Sequence, residues 1–184
     1  MNSICIDNNM INILSKLKGN KFISYECDLE ENWNRTYGFL RINTDNKAID
    51  ISVQQKESSL FGEMEDVACI EVFDNTNKTI KESFDLIDNY SSKIIEVNET
   101  INKVYKISET VVINNETMNF DMGIVIETDN HKYCFSRENW FNEFIYINVD
   151  KDFEEIYPVS KDIEEWSLEE NEEIKINRFI EEIY

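Results

Sequence analysis

The stretch Phe120-Asp-Met-Gly-Ile-Val-Ile-Glu-Thr-Asp-Asn-His-Lys-Tyr-Cys-Phe-Ser136 decides how the chain is read. Phe120, Met122, Ile124 and Ile126 recur with a period of two, the spacing that puts one face of a β-strand in a core. Asp129-Asn130 supplies turn chemistry, and Lys132–Ser136 forms the returning strand. Phe144–Val149 follows as a third strand, so the whole stretch predicts a meander.

The same pattern extends outward. Tyr37–Asn43 and Ala48–Gln54 flank Thr44-Asp-Asn-Lys, a second hairpin. In it Ile49, Ile51 and Val53 alternate with Asp50, Ser52 and Gln54, which predicts one buried and one wet face. Val67–Phe73 is almost continuously apolar and predicts a central strand. Lys21–Cys27 predicts another strand, and Ile94–Val97, Val104–Ile107 and Val111–Ile113 predict short ones.

Helices are expected at both ends. Met10, Ile13, Leu14 and Leu17 share one helical face, with Asp7 as cap and Gly19 as left-handed stop. Thr79 and Glu82 form a capping box for a helix over Ile80–Tyr90. Pro158 precedes a short helical piece near Ile163 and Trp166. Ser167 and Glu170 predict a C-terminal helix carrying Ile176, Phe179, Ile180 and Ile183. The fold class expected is therefore α+β: a single domain over 1–184, mainly antiparallel hairpins, with N- and C-terminal helices. Residues 41–52 overlay 125–136 without gaps. The repeated Thr-Asp-Asn accounts for much of this, with a weak duplication of 21–90 in 105–184 as the alternative.

Composition excludes several function classes. The 184 residues contain four glycines, Gly19, Gly38, Gly62 and Gly123, none close to another. A phosphate-cradling loop needs clustered glycines, so Walker-type and dinucleotide-binding loops are absent. Gly-x-Ser-x-Gly is absent too. Cys5, Cys27, Cys69 and Cys134 form no paired ligand spacing and have a single histidine for support, so no metal or other cofactor is expected. Asp150, Asp152 and Glu154 have calcium-loop spacing, yet Glu155 and Lys161 stand where glycine and glutamate are needed. His131 and Cys134 are three apart on a strand, which puts them on opposite faces. No apolar run has the roughly 18 residues of a membrane span. The first residues lack a secretory pattern, so a cytoplasmic chain is expected.

Charge is the one strong positive signal. Eighteen Lys and Arg face 38 Asp and Glu, a net charge of −20. Residues 121–184 carry 6 basic and 18 acidic groups, whereas residues 1–60 carry 7 and 8. Such a field repels nucleic acid and anionic membranes and draws in basic proteins. The expected interface is Asp150, Asp152, Glu154, Glu155, Asp162, Glu164, Glu165, Glu169 and Glu170. Trp140, Tyr157 and Trp166 are its expected aromatic anchors. Tyr37, Phe39 and Arg41, and likewise Tyr133 and Phe135, share strand faces but lack the basic frame of an RNA-binding sheet. They are read as core or interface residues.

These features point to a non-enzymatic, stoichiometric binder of a basic, nucleic-acid-acting bacterial protein. An immunity protein against a nuclease-type toxin is favoured, with a phage or plasmid anti-CRISPR or anti-restriction inhibitor as alternative. A small enzyme with a carboxylate site is the weaker alternative. The chain is expected to be a monomer or weak homodimer, since an acidic face repels its own copy.

Overall fold

The structure, a computed structural model, describes residues 2–28, 34–60, 63–85, 91–113, 116–137, 139–170 and 174–184, apart from the side chains of 2–3 and 165–170. In chain order the elements are β1 (Asn2–Ile4), α1 (Asn8–Ser15), β2 (Lys21–Cys27), β3 (Arg35–Thr36), β4 (Phe39–Thr44), β5 (Ala48–Leu60), β6 (Glu63–Asp74) and α2 (Ile80–Ser83). There follow β7 (Lys93–Ile113), β8 (Glu116–Thr128), β9 (Lys132–Ser136), β10 (Ile145–Val149), α3 (Phe153–Ile156), α4 (Val159–Glu170) and β11 (Ile174–Glu182).

The strands hydrogen-bond in the order β3-β10-β9-β8-β7-β2-β4-β5-β6, with β11 antiparallel beside β7 and β1 parallel beside β8. Only Tyr37 and Gly38 separate β3 from β4. The segment that pairs with β10 at Arg35–Thr36 therefore pairs with β2 and β5 a few residues later. The sheet thus curls back on itself through six strands. One apolar cluster takes buried side chains from all six: Phe22 and Tyr25, Leu40 and Ile42, Ile101 and Val104, Ile124 and Ile126, Tyr133 and Phe135, Ile145 and Ile147. Leu14 and Leu17 near the C-terminal end of α1 join that cluster. Gly38 sits at the closure with φ 74°, and a Cβ there would meet the Val53 and Glu143 carbonyl oxygens at 3.2 Å.

A second cluster forms where the far halves of β7 and β8 meet β11 and the C-terminal helices. It contains Ile107, Val111, Met118, Phe120, Met122, Trp140, Phe153, Ile174 and Ile176. Gly123 lets β8 and β9 approach, since a Cβ there would meet the Phe135 carbonyl oxygen and Ser136 Cβ at 2.8 Å. Gly123→Ala is expected to cost about 1–3 kcal/mol through this overpacking, read as a lower thermal midpoint.

Several expectations hold. Lys21–Cys27 and Lys132–Ser136 are strands, and α1 is capped by Asp7 Oδ1, which accepts from Met10 N at 2.8 Å. Gly19 has φ 84°. The overlaid segments share their turn chemistry: Thr44 and Thr128 each donate through N and Oγ1 to the carbonyl oxygen of the residue three positions on.

Others are corrected. The expected C-terminal helix over Ile176–Ile183 is strand β11, whose Ile174 and Ile176 are buried at strand spacing. Ser167 and Glu170 lie inside α4, so they do not start a helix. The second helix is a single turn, Ile80–Ser83, although both halves of its Thr79–Glu82 capping box form. Residues 86–90 of the expected helix lie outside the described residues. The three short strands between Ile94 and Ile113 are one strand, β7, paired in turn with β2 and β11 on one side and with β8 from Ile101 on. Val67–Phe73 was expected to be central but lies in β6, at the end of the path. Its burial comes from another source: Ala68 N donates to the Trp140 carbonyl oxygen, and Ile70 and Val72 pack in the same cluster as Ile13 and Leu14 of α1. Asp50 and Ser52, expected on a wet face, are 0% and 2% exposed; over Asp50 the segment after β6 folds back, with Asn75 Nδ2 donating to its carboxylate.

Candidate functional site

The expected acidic interface divides into two environments. Around Arg178 of β11, three carboxylates converge on one guanidinium. Its Nε and Nη2 donate to Glu109 Oε1 at 2.8 and 2.5 Å, its Nη1 to Glu154 Oε2 at 2.6 Å, and its Nη2 to Asp162 Oδ2 at 3.3 Å. Nη1 also donates to the Tyr157 carbonyl oxygen, and the guanidinium lies 4.5 Å from the centre of the Phe153 ring. The Arg178 side chain is 6% exposed and that of Glu109 1%. A guanidinium withdrawn from water requires such a set of acceptors, and here they fasten α3 and α4 to the sheet. Glu154 and Asp162 are therefore partners of Arg178 within the fold, although the Glu154 side chain stays 58% exposed.

Two of the aromatic anchors are also reassigned or undescribed. Trp140 is 3% exposed, stacks on Phe120 with ring centres 4.6 Å apart, and donates Nε1 to Glu109 at 3.3 Å. It is a core residue. Tyr157 is half-buried between Phe153 and Tyr146. The side chains of Glu165, Trp166, Glu169 and Glu170 lie outside the described residues, while Glu164 is exposed on α4.

The second environment is an open groove of about 400 Å³ at the β8–β9 turn. Glu127, Asp129, Asp150, Asp152 and Glu155 line it together with His131 and Lys132. The turn is held by hydrogen bonds from several elements. Asp150, at φ 57°, accepts from Lys132 N at 3.0 Å and pairs with His131 Nδ1 at 2.6 Å. Glu99 of β7 approaches His131 Nε2 at 3.8 Å, and Asp129 accepts from Thr100 N at 3.2 Å. Sequence reading placed Asp150, Asp152 and Glu155 in the interface but missed Glu127 and Asp129. The Thr-Asp-Asn turn beside the alternating strand was their available signal.

The groove's titrations are displaced in opposite directions. The hydrogen bond to Asp150 holds the His131 imidazole above its ordinary range, with the Asp150 and Glu99 charges adding to it. The Lys132 amide, then His131, hold the Asp150 carboxyl below its own. The His131 contribution to stability is thus complete below the unfolded histidine pKa and is lost as pH rises through the raised folded value. That of Asp150 is present above the unfolded aspartate pKa and is lost as pH falls through its depressed value. Stability from the pair should peak between these limits. In a ring-proton NMR titration, His131 should titrate above the unperturbed histidine value, and Asp150→Asn should bring it back down. An unmoved midpoint would contradict the pairing.

Elsewhere the structure buries ions that sequence reading did not single out. Arg41, read earlier as part of an aromatic strand face, forms a two-pronged pair with Asp50 directly across the β4–β5 ladder, at 2.6 and 2.8 Å. Arg41 also reaches the Lys78 carbonyl oxygen and Ser83 Oγ, which ties α2 to the sheet. Asp121 accepts from Ile6 N and Ser108 Oγ, both at 2.6 Å. Arg137 is fully buried, and that burial lowers its pKa to about 10. Its Nε donates to the Asp121 carbonyl oxygen and its Nη1 to that of Ala68.

Among the described residues no group of three or more His, Cys, Asp or Glu side chains is arranged to hold a metal ion. No helix among them is long and apolar enough to cross a membrane. Comparisons with protein-family models, curated proteins and solved structures find no match.

Proposed function

We propose that this chain is a stoichiometric binding protein whose acidic end occupies the nucleic-acid-binding surface of a basic bacterial protein. The observation that carries this reading is the set of five carboxylates around one open groove, two of which, Asp129 and Asp150, are anchored by backbone hydrogen bonds. Carboxylates held in fixed positions can satisfy Lys and Arg groups that otherwise hold phosphates, and a surrounding net charge of −20 speeds the encounter. The interface is redrawn from the one read in sequence: Asp150, Asp152, Glu155 and Glu164 stay in it, Glu127 and Asp129 join it, and Glu154, Asp162 and Trp140 leave it.

The biological form we favour is an immunity protein guarding its producer against a nuclease-type toxin. A phage or plasmid inhibitor of a CRISPR or restriction nuclease shares the same physics. The test is capture of a basic protein from bacterial lysate at low salt, followed by competition. Double-stranded DNA or RNA should displace the captured protein, and salt should release it. A partner that holds nucleic acid and this chain together would refute the reading, and the partner's own activity separates the two roles.

A further inference from the structure

A second concavity lies where the sheet closes on itself. Tyr37, Phe39 and Phe84 line an open groove of about 400 Å³, with Gln54, Gln55 and Glu143 among its other walls. The closure at Gly38 builds it, because the missing Cβ lets the Glu143 backbone approach β5. The rings are fixed by their own packing. Tyr37 meets Phe144 edge-on at 4.9 Å, and Phe39 and Phe84 stack at 5.0 Å with 30° between planes. Tyr37 is nevertheless 62% exposed, a large aromatic surface turned to solvent. In the floor, the buried Ser52 hydroxyl has no hydrogen-bond partner among the described residues.

The chemistry of this groove selects a planar cation. Aromatic faces attract cations through the ring quadrupole, and guanidinium stacks on them better than ammonium. Glu143, Gln54 and Gln55, which line the same groove, carry acceptor oxygens, which suits a group that only donates. The net charge of −20 opposes any ligand bearing phosphate. The fold already uses this mode next door, since the Arg35 guanidinium lies 4.0 Å from the centre of the Phe144 ring that Tyr37 abuts. We infer that the groove takes one arginine side chain of the basic partner, its guanidinium against the rings and paired with Glu143. The inference rests on the proposed function and names a second, aromatic anchor beside the acidic end.

The probe is N-acetyl-arginine amide, titrated into isotopically labelled protein and followed at the Tyr37 ring and the Gln54 and Gln55 side-chain amides. Saturable shifts confined to this groove are expected. N-acetyl-citrulline amide has a similar planar head without the charge and should bind about tenfold more weakly. Tyr37→Ala and Glu143→Gln should each weaken arginine binding about fivefold, and both residues sit where substitution leaves the core intact. No saturable shift at tens of millimolar, an equal response to citrulline, or undiminished binding in both variants would each overturn the assignment. Competition by nucleic acid at the acidic end with no arginine response overturns the groove alone. A localised arginine response supports the groove, even where the absence of nucleic-acid competition refutes the acidic-end reading.

Discussion

Arg178→Met should lower the thermal midpoint by about 10 °C, the largest single-residue effect expected here. The substitution leaves Glu109, 1% exposed, with the Trp140 indole N–H as its remaining hydrogen-bond partner among the described residues. Removing one member of a buried ion pair costs about 3–5 kcal/mol, because the other charge stays out of water without compensation. For a chain of this size each kcal/mol moves the midpoint by about 2–4 °C. The same change releases Glu154, Asp162 and the Tyr157 carbonyl, so α3 and α4 should loosen from β11 and lose hydrogen-exchange protection first. The discriminating control is the double variant with Glu109→Gln, which removes the stranded charge and should recover a substantial part of the loss. A melt of Arg178→Met within two degrees of the parent would show that the buried network is not held in solution.

Reversing Asp152, Glu155 and Glu164 to Lys should weaken partner binding by at least about a hundredfold while leaving the melt nearly unchanged. All three are exposed, so their replacement removes no core contact. Each should act mainly through association rate and salt dependence, and the wild-type affinity should fall steeply with added salt. Glu154 and Asp162 must be left in place, because reversing them would strike Arg178 and confuse unfolding with lost binding. Retained affinity in the triple variant would remove the acidic end from the mechanism. A lost melt together with lost affinity would mean that these positions serve the fold.

Strands were legible where β-forming residues or a turn signal act locally: Lys21–Cys27 and Lys132–Ser136 match residue for residue. The Asp7 cap and the Thr79–Glu82 box were legible for the same reason, since a cap needs only its own helix turn. The C-terminal strand was misread because Ile176, Phe179, Ile180 and Ile183 fit a helical stripe, and isoleucine suits either state. Pairing with β7 across the whole of Ile174–Glu182 overrode that stripe. The acidic surface was legible as composition. Which acids are paired within the fold was not, since charge counts do not distinguish Glu155 from Glu154, which binds Arg178.

By itself the sequence determined a strand-rich α+β chain, its main hairpins, the Asp7 and Thr79–Glu82 helix caps and an acidic surface concentrated toward the C-terminus. Each of these rests on neighbours a few residues apart or on summed charge. Only the tertiary structure decided the closure at Tyr37–Gly38, the strand state of β11, the burial of Asp50 and the division of the acids between Arg178 and the His131 groove. Those outcomes depend on groups distant in the chain, such as Arg178 and Glu109, 69 positions apart. A buried charge is tolerable only where such a partner arrives, and its arrival is a property of the whole fold.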